Sequence, residues 1–170
     1  QKQIELDLDF LRLISVAEAA QDPDLRVMLP KLKDNQPYSG LMVLQPQRLA
    51  RLAPGLDQEA VVTLVDTPRS QKPSKDVEKR GMLSRSLLPI VGPNGRVSWY
   101  LDGGILLNRD IRIVDHIRDL VYDKGTLPER SIGTVTIFLD NTRISTNVPL
   151  NFFPQDSEKR GRALGSLVSE

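Results

Sequence analysis

The feature that most constrains this chain is a pair of β-rich runs, 82–91 and 96–106, on either side of Gly92-Pro93-Asn94-Gly95. Two strand-length runs joined by four turn-forming residues read as an antiparallel hairpin. A sheet built on that hairpin has to bury one face, so the rest of the chain must supply the cover. Along 96–106, Val97, Trp99, Leu101 and Ile105 alternate onto one side, and Ser98, Tyr100 and Asp102 onto the other. The apolar side is expected to pack against helices. The mixed side, a hydroxyl, a phenol and a carboxylate in line, is expected to form the wall of a small-ligand pocket. Gly103-Gly104 mark a bulge or a close backbone approach within the strand.

Helical segments are expected on both sides of this hairpin. Residues 3–20 are rich in good helix formers and predict an N-terminal helix, although Ile4, Leu6, Leu8 and Phe10 alternate like a strand. Asp22-Pro23-Asp24 reads as the start of a second, short helix with Leu25, Met28, Leu29 and Leu32 as its apolar face. An apolar run at 40–44, helical turns at 46–52 and a β-branched strand at 61–65 follow. Residues 66–80 form a long polar connection. The spacing of Ile113, Val114, Ile117, Leu120 and Val121 predicts an amphipathic helix over 110–122. Residues 133–139 and 143–148 predict a second hairpin, with Arg143, Ser145 and Asn147 along one polar side. The order of elements places the chain in the α+β class. A seam is expected at Leu107-Asn108-Arg109, dividing the chain into lobes 1–107 and 108–170.

Composition removes several function classes. The 170 residues carry 23 Lys plus Arg against 22 Asp plus Glu, a net charge of +1. Such a balance argues against nucleic acid as a partner. Without cysteine there is no disulfide, thiol nucleophile or cysteine zinc site. The single histidine, His116, falls one position off its helix's apolar stripe and reads as a surface or boundary residue. No Gly-x-Ser-x-Gly elbow and no glycine-rich phosphate loop occurs, so no enzyme, cofactor or metal is expected. No apolar run approaches the ~18 residues needed to span a bilayer. Charge is unevenly placed: 1–24 hold two bases and six acids, whereas 69–85 hold six bases and two acids. Within the basic stretch, Arg80 and Arg85 lie where the connection enters a strand. A sheet would hold their planar guanidinium groups rigidly, in the geometry that matches a carboxylate.

Several strings, read together, carry a resemblance. They are Lys79-Arg80-Gly81-Met82, then Tyr100-Leu101-Asp102-Gly103-Gly104-Ile105-Leu106-Leu107-Asn108-Arg109, then Val114-Asp115-His116-Ile117. Gly133-Thr134-Val135-Thr136-Ile137-Phe138, Arg143-Ile144-Ser145-Thr146-Asn147-Val148 and Arg162-Ala163-Leu164-Gly165 complete the set. From about Tyr38 onward the chain resembles the extracytoplasmic Cache sensor domains of bacterial receptors, in the subgroup carried by sensor histidine kinases. The resemblance implies a PAS-like antiparallel sheet flanked by an N-terminal helix and by a second helix after the central hairpin. It also implies a membrane-anchored, homodimeric parent receptor of a two-component system, with this portion periplasmic and an output domain in the cytoplasm. Before Tyr38 the chain is shorter than the family pattern, and after Glu170 relatives continue, so 108–170 is expected to be either a partial second lobe or part of a compact variant in which everything forms one sheet. Joined to the strand and charge pattern above, the resemblance leads to the expectation of a small organic anion held by Arg80 or Arg85 with Tyr100 and Asp102, and Trp99 supporting from the core. A ligand-free dimerisation or protein-interaction module of a receptor is the alternative.

Overall fold

A computed structural model describes residues 8–66, 74–122, 133–150 and 161–168. The α+β expectation holds: a four-stranded antiparallel sheet, compatible with a PAS-like fold, carries short helices on one face. The strands are β1 (Phe10–Ser15), β2 (Tyr38–Leu44), β5 (Gly81–Val91) and β6 (Val97–Leu106), in the order β1-β6-β5-β2. The predicted hairpin is β5–β6, closed at Gly95, whose φ of 74° is one that glycine tolerates. Register shifts at Ile90/Val91, so Val91 pairs with Val97 and Ile90 with Trp99, leaving Ser98 as the extra residue.

The expected N-terminal helix is corrected. Residues 10–15 form β1, paired along β6 from Phe10↔Gly104 to Ser15↔Trp99. Only Val16–Gln21 are helical (α1). Pairing with β6 overrides the helix propensity of this stretch, which is weak compared with tertiary context. The switch is made at Ser15, whose Oγ accepts the Glu18 amide at 3.2 Å while the Glu18 carboxylate accepts the Ser15 amide at 2.7 Å. This reciprocal capping box starts a helix directly at the strand's end. Residues 3–7 of the predicted helix lie outside the described residues.

Cover for the sheet comes from α1, α2 (Leu25–Met28), a 3-10 turn at Leu29–Lys31, α3 (Pro46–Leu52) and α4 (Leu56–Glu59). Leu49 and Leu56 pack on Phe10, Leu44, Leu83 and Leu106. Beside them, Ala19, Leu25 and Met28 pack on Ile14, Leu87 and Tyr100. Each fully buried Leu or Met of these clusters contributes roughly 1.5–3 kcal/mol. Pro30 stands inside the 3-10 turn, where its missing amide ends α2 rather than breaking it.

The second expected helix is α5 (Ile111–Val121), capped by the Asp110 carboxylate on the amides of Arg112 and Ile113. The second expected hairpin is β7 (Thr136–Leu139) with β8 (Thr142–Thr146). A short pair, β3 (Val62–Thr63) and β4 (Val77–Glu78), occupies the two ends of the long connection, whose middle lies outside the described residues. Val62, from before the expected seam, packs with Leu139 and Ile144 from after it. At the seam the buried Asn108 side chain accepts the Met82 amide and donates to the carbonyls of Ala60 and Arg80. The polar row on β8 is committed internally: Ser145 donates to the Asp110 carbonyl, Asn147 pairs with Gly133 and Val135, and Arg143 donates to Ser166.

Candidate ligand site

The two sides of β6 are disposed opposite to expectation. Phe10, Arg12 and Ile14 of β1 share a face with Tyr100, Asp102, Arg85 and Leu87, and that is the face the helices cover. Trp99 is on the other face and is 44% exposed, so it packs on no core. The reason is electrostatic. A lone carboxylate would be costly under helices, but Asp102 arrives paired and hydrogen-bonded, which removes most of that penalty.

Asp102 and Arg85 are both 0% exposed. The pair is bidentate, Nε to Oδ1 at 2.7 Å and Nη2 to Oδ2 at 2.8 Å. Arg12, directly opposite Asp102 across β1–β6, donates its Nε to the same Oδ2 at 2.8 Å. Gly104 lies opposite both Phe10 and Arg85, and the Phe10 ring lies against the space a Cβ there would fill. That places the ring 5.8 Å from the Arg85 guanidinium carbon, within cation–π range.

Above this pair sits a second tier. Asp22 closes α1 and its Oδ1 accepts the amides of Asp24 and Leu25, fixing the α1–α2 corner. Arg48, in the first turn of α3, reaches Asp22 at 3.2 Å and Asp24 at 2.6 Å. Arg12 also reaches Asp22, at 3.2 Å. Burial alone would raise the Asp22 pKa; the Asp24 amide, Arg12, the nearby Arg85 charge and the Leu25 amide outweigh it and hold the carboxyl below its usual range. Arg85 lies under these acids, Nη2 at 3.9 Å from Asp22 and Nη1 at 3.9 Å from Asp24. Its Nη1 is buried and has no hydrogen-bond partner.

The tier opens onto a cleft of about 470 Å³ between α1–α2 and α3. Glu18, Asp22 and Asp24 line it together with Arg12, Arg48 and Arg51. Such a wall offers an incoming carboxylate the guanidinium groups that its own carboxylates now hold.

Of the residues singled out in the sequence, Arg85, Asp102 and Tyr100 come together on the covered face. Arg80 is elsewhere, bound to Glu78 at 2.8 Å and to Asp140 in the β7–β8 turn at 2.7 Å. Trp99 points away. Arg12, Asp22, Asp24 and Arg48 were missed. Strand phase carried the signal for Arg12, which alternates in step with Phe10 and Ile14. Asp22 and Asp24 were visible only as a helix start, and nothing local links them to Arg48. Among the described residues no group of three or more His, Asp or Glu is placed to hold a metal ion, and no helix is long and apolar enough to cross a membrane. Comparison with models of protein families, with curated proteins and with solved structures finds no match to this chain.

Proposed function

We propose that this chain is the extracytoplasmic signal-sensing part of a transmembrane receptor, a sensor histidine kinase in the closest reading of its Cache-like strings. It binds a small organic anion and passes a conformational change to an output domain. The observation that carries the reading is the Arg85 guanidinium, buried with Nη1 unsatisfied and 3.9 Å from a carboxylate that lines an open cleft. An unpaired buried donor costs roughly 1–3 kcal/mol, so a ligand oxygen brought within hydrogen-bonding distance would recover part of that.

The route to Arg85 is through Asp22 and Asp24. A ligand carboxylate competes with them for Arg48 and Arg12, and taking Arg48 releases the α1–α2 corner from α3. That corner packs on the sheet through Leu25 and Met28, so its release would give the helices a second arrangement on the sheet. Only the ligand's preference between the two shifts the population, and moving it from 1:99 to 99:1 takes about 5.5 kcal/mol. In this arrangement Tyr100 supports the sheet side of the cluster.

The test is thermal unfolding of the 170-residue chain with short carboxylic acids and the twenty amino acids, each at millimolar concentration. At about 100 times Kd a true ligand adds about 2.7 kcal/mol, a rise in Tm of about 5–10 °C for a chain of this size. Arg48→Ala should abolish the rise while folding normally. A flat response across the panel, or an undiminished response in Arg48→Ala, would falsify the assignment.

A further inference from the structure

The uncovered face of the four-stranded sheet is the most unusual surface among the described residues. Leu11 and Leu13 of β1, Leu41 of β2, Leu88 and Ile90 of β5 and Trp99 of β6 all stand exposed on it, Leu41 at 68%. None of the strand positions facing this way carries a charge. Soluble proteins seldom leave so continuous an apolar sheet face open, because burying it against anything apolar is favourable.

The relief of the face points to what covers it. Across the strands, Gly103 pairs with Ser86 and Ser86 with Ser39, so small residues form a low row that Leu11, opposite Gly103, closes at the β1 edge, with the two serine hydroxyls joined at 2.6 Å. The next row, two residues along, is high: Leu13 pairs with Leu101 and Leu101 with Leu88. A two-fold axis running between a low row and a high row sets the high row of each copy into the low row of the other. That is the self-complementarity an isologous interface requires. Lacking charge, the face also meets its own copy without repulsion.

Size is sufficient. Four strands spaced ~4.8 Å and 6 to 11 residues long present roughly 540 Å² as a flat footprint. Two such faces bury about 1,100 Å², above the ~1,000 Å² that separates stable interfaces from casual contacts. Aligned sheets pack face to face at about −30° with ~10 Å between them, which these side chains span.

We infer that the open sheet face is a homodimer interface, two copies of this chain packing sheet against sheet with Leu88 and Leu101 at its centre and Trp99 towards the β5–β6 turn. The pairing stands whether or not the helix-side cleft takes a ligand, since the two lie on opposite faces of the sheet.

Sedimentation velocity of the full chain between about 1 and 100 µM tests it. The expected result is a concentration-dependent dimer of twice 19.0 kDa. Leu88→Lys and Leu41→Lys should each weaken the dimer at least tenfold, because a two-fold axis brings each new charge in twice. Both side chains are exposed in the single chain, so the variants should keep the wild-type far-UV circular dichroism. Trp99 is the only tryptophan, so its emission should shift to the red on dilution in step with dissociation. A chain that stays monomeric at 100 µM overturns the inference. So does a dimer that both lysine variants leave intact.

Discussion

Arg85 and Asp102 meet diagonally across β5 and β6: Arg85 is opposite Gly104 and Asp102 opposite Leu87, yet their side chains join in a two-bond fork with no solvent contact. The diagonal is open because Gly104 has no side chain. Removing Asp102 takes both fork bonds from the buried Arg85, and removing Arg85 leaves the buried Asp102 with Arg12 alone. Asp102→Leu is expected to cost about 3–5 kcal/mol, with Arg85→Met similarly severe. The double replacement Arg85→Met with Asp102→Leu should cost far less than the two added together. Urea unfolding of all four proteins gives the cycle, and simple additivity would remove the pair from its central role.

Glu78 makes stability depend on acid. Its burial raises the carboxyl pKa, but hydrogen bonds from Arg80, from Lys75 and from the Arg80 amide more than reverse this, bringing it down from 4.5 to about 2. A carboxylate whose pKa falls on folding contributes its full stabilisation above the unfolded value. That contribution drains away as pH drops from about 4.5 towards 2, and amounts to about 3 kcal/mol. Urea midpoints measured through this range should fall steeply in the wild type and less in Glu78→Gln. Parallel curves for the two proteins would mean that Glu78 is not the group responsible.

Asn108 joins segments that are otherwise far apart. Its amide satisfies the Met82 N–H at 2.9 Å and the carbonyls of Ala60 and Arg80 at 2.7 and 2.9 Å. Asn108→Ala leaves three backbone groups without that partner and should cost about 2–4 kcal/mol. Asn108→Asp, which keeps the shape but cannot donate, should be no better. If hydrogen exchange of the Met82 amide is unchanged in the alanine variant, the cross-link is not what holds these segments.

Local patterns in the sequence located the hairpin, α3, α5 and the second hairpin within a few residues, because each depends on turn chemistry or periodicity inside its own segment. Residues 10–15 were misread for the opposite reason. Their leucines, and the alanines that follow at 17, 19 and 20, favour a helix, and only a distant strand, β6, makes them extended. The covered face of β6 was misread because hydropathy assigns Asp102 outward. Its burial depends on Arg85 and Arg12, partners fixed by register and strand order rather than by neighbours in the chain. The acidic corner at Asp22 and Asp24 was legible as a capping signal, while its tie to Arg48 depends on how α3 lies across the corner. Arg80 and Arg85 look equivalent in sequence, yet only Arg85 falls within β5 in phase with Leu83 and Leu87.

Strand order also sets a schedule for synthesis. Among the described residues β1 finds its ladder only on β6, and Arg12 waits for its buried acid, Asp102, 90 residues downstream. At 5–20 residues per second the ribosome takes ~5–18 s to deliver it. Throughout that interval the emerging N-terminal segment has its own helical preference and no template. A nascent chain halted before Gly103 should therefore leave this segment helical or uncommitted, and release of β6 should convert it in a single late step.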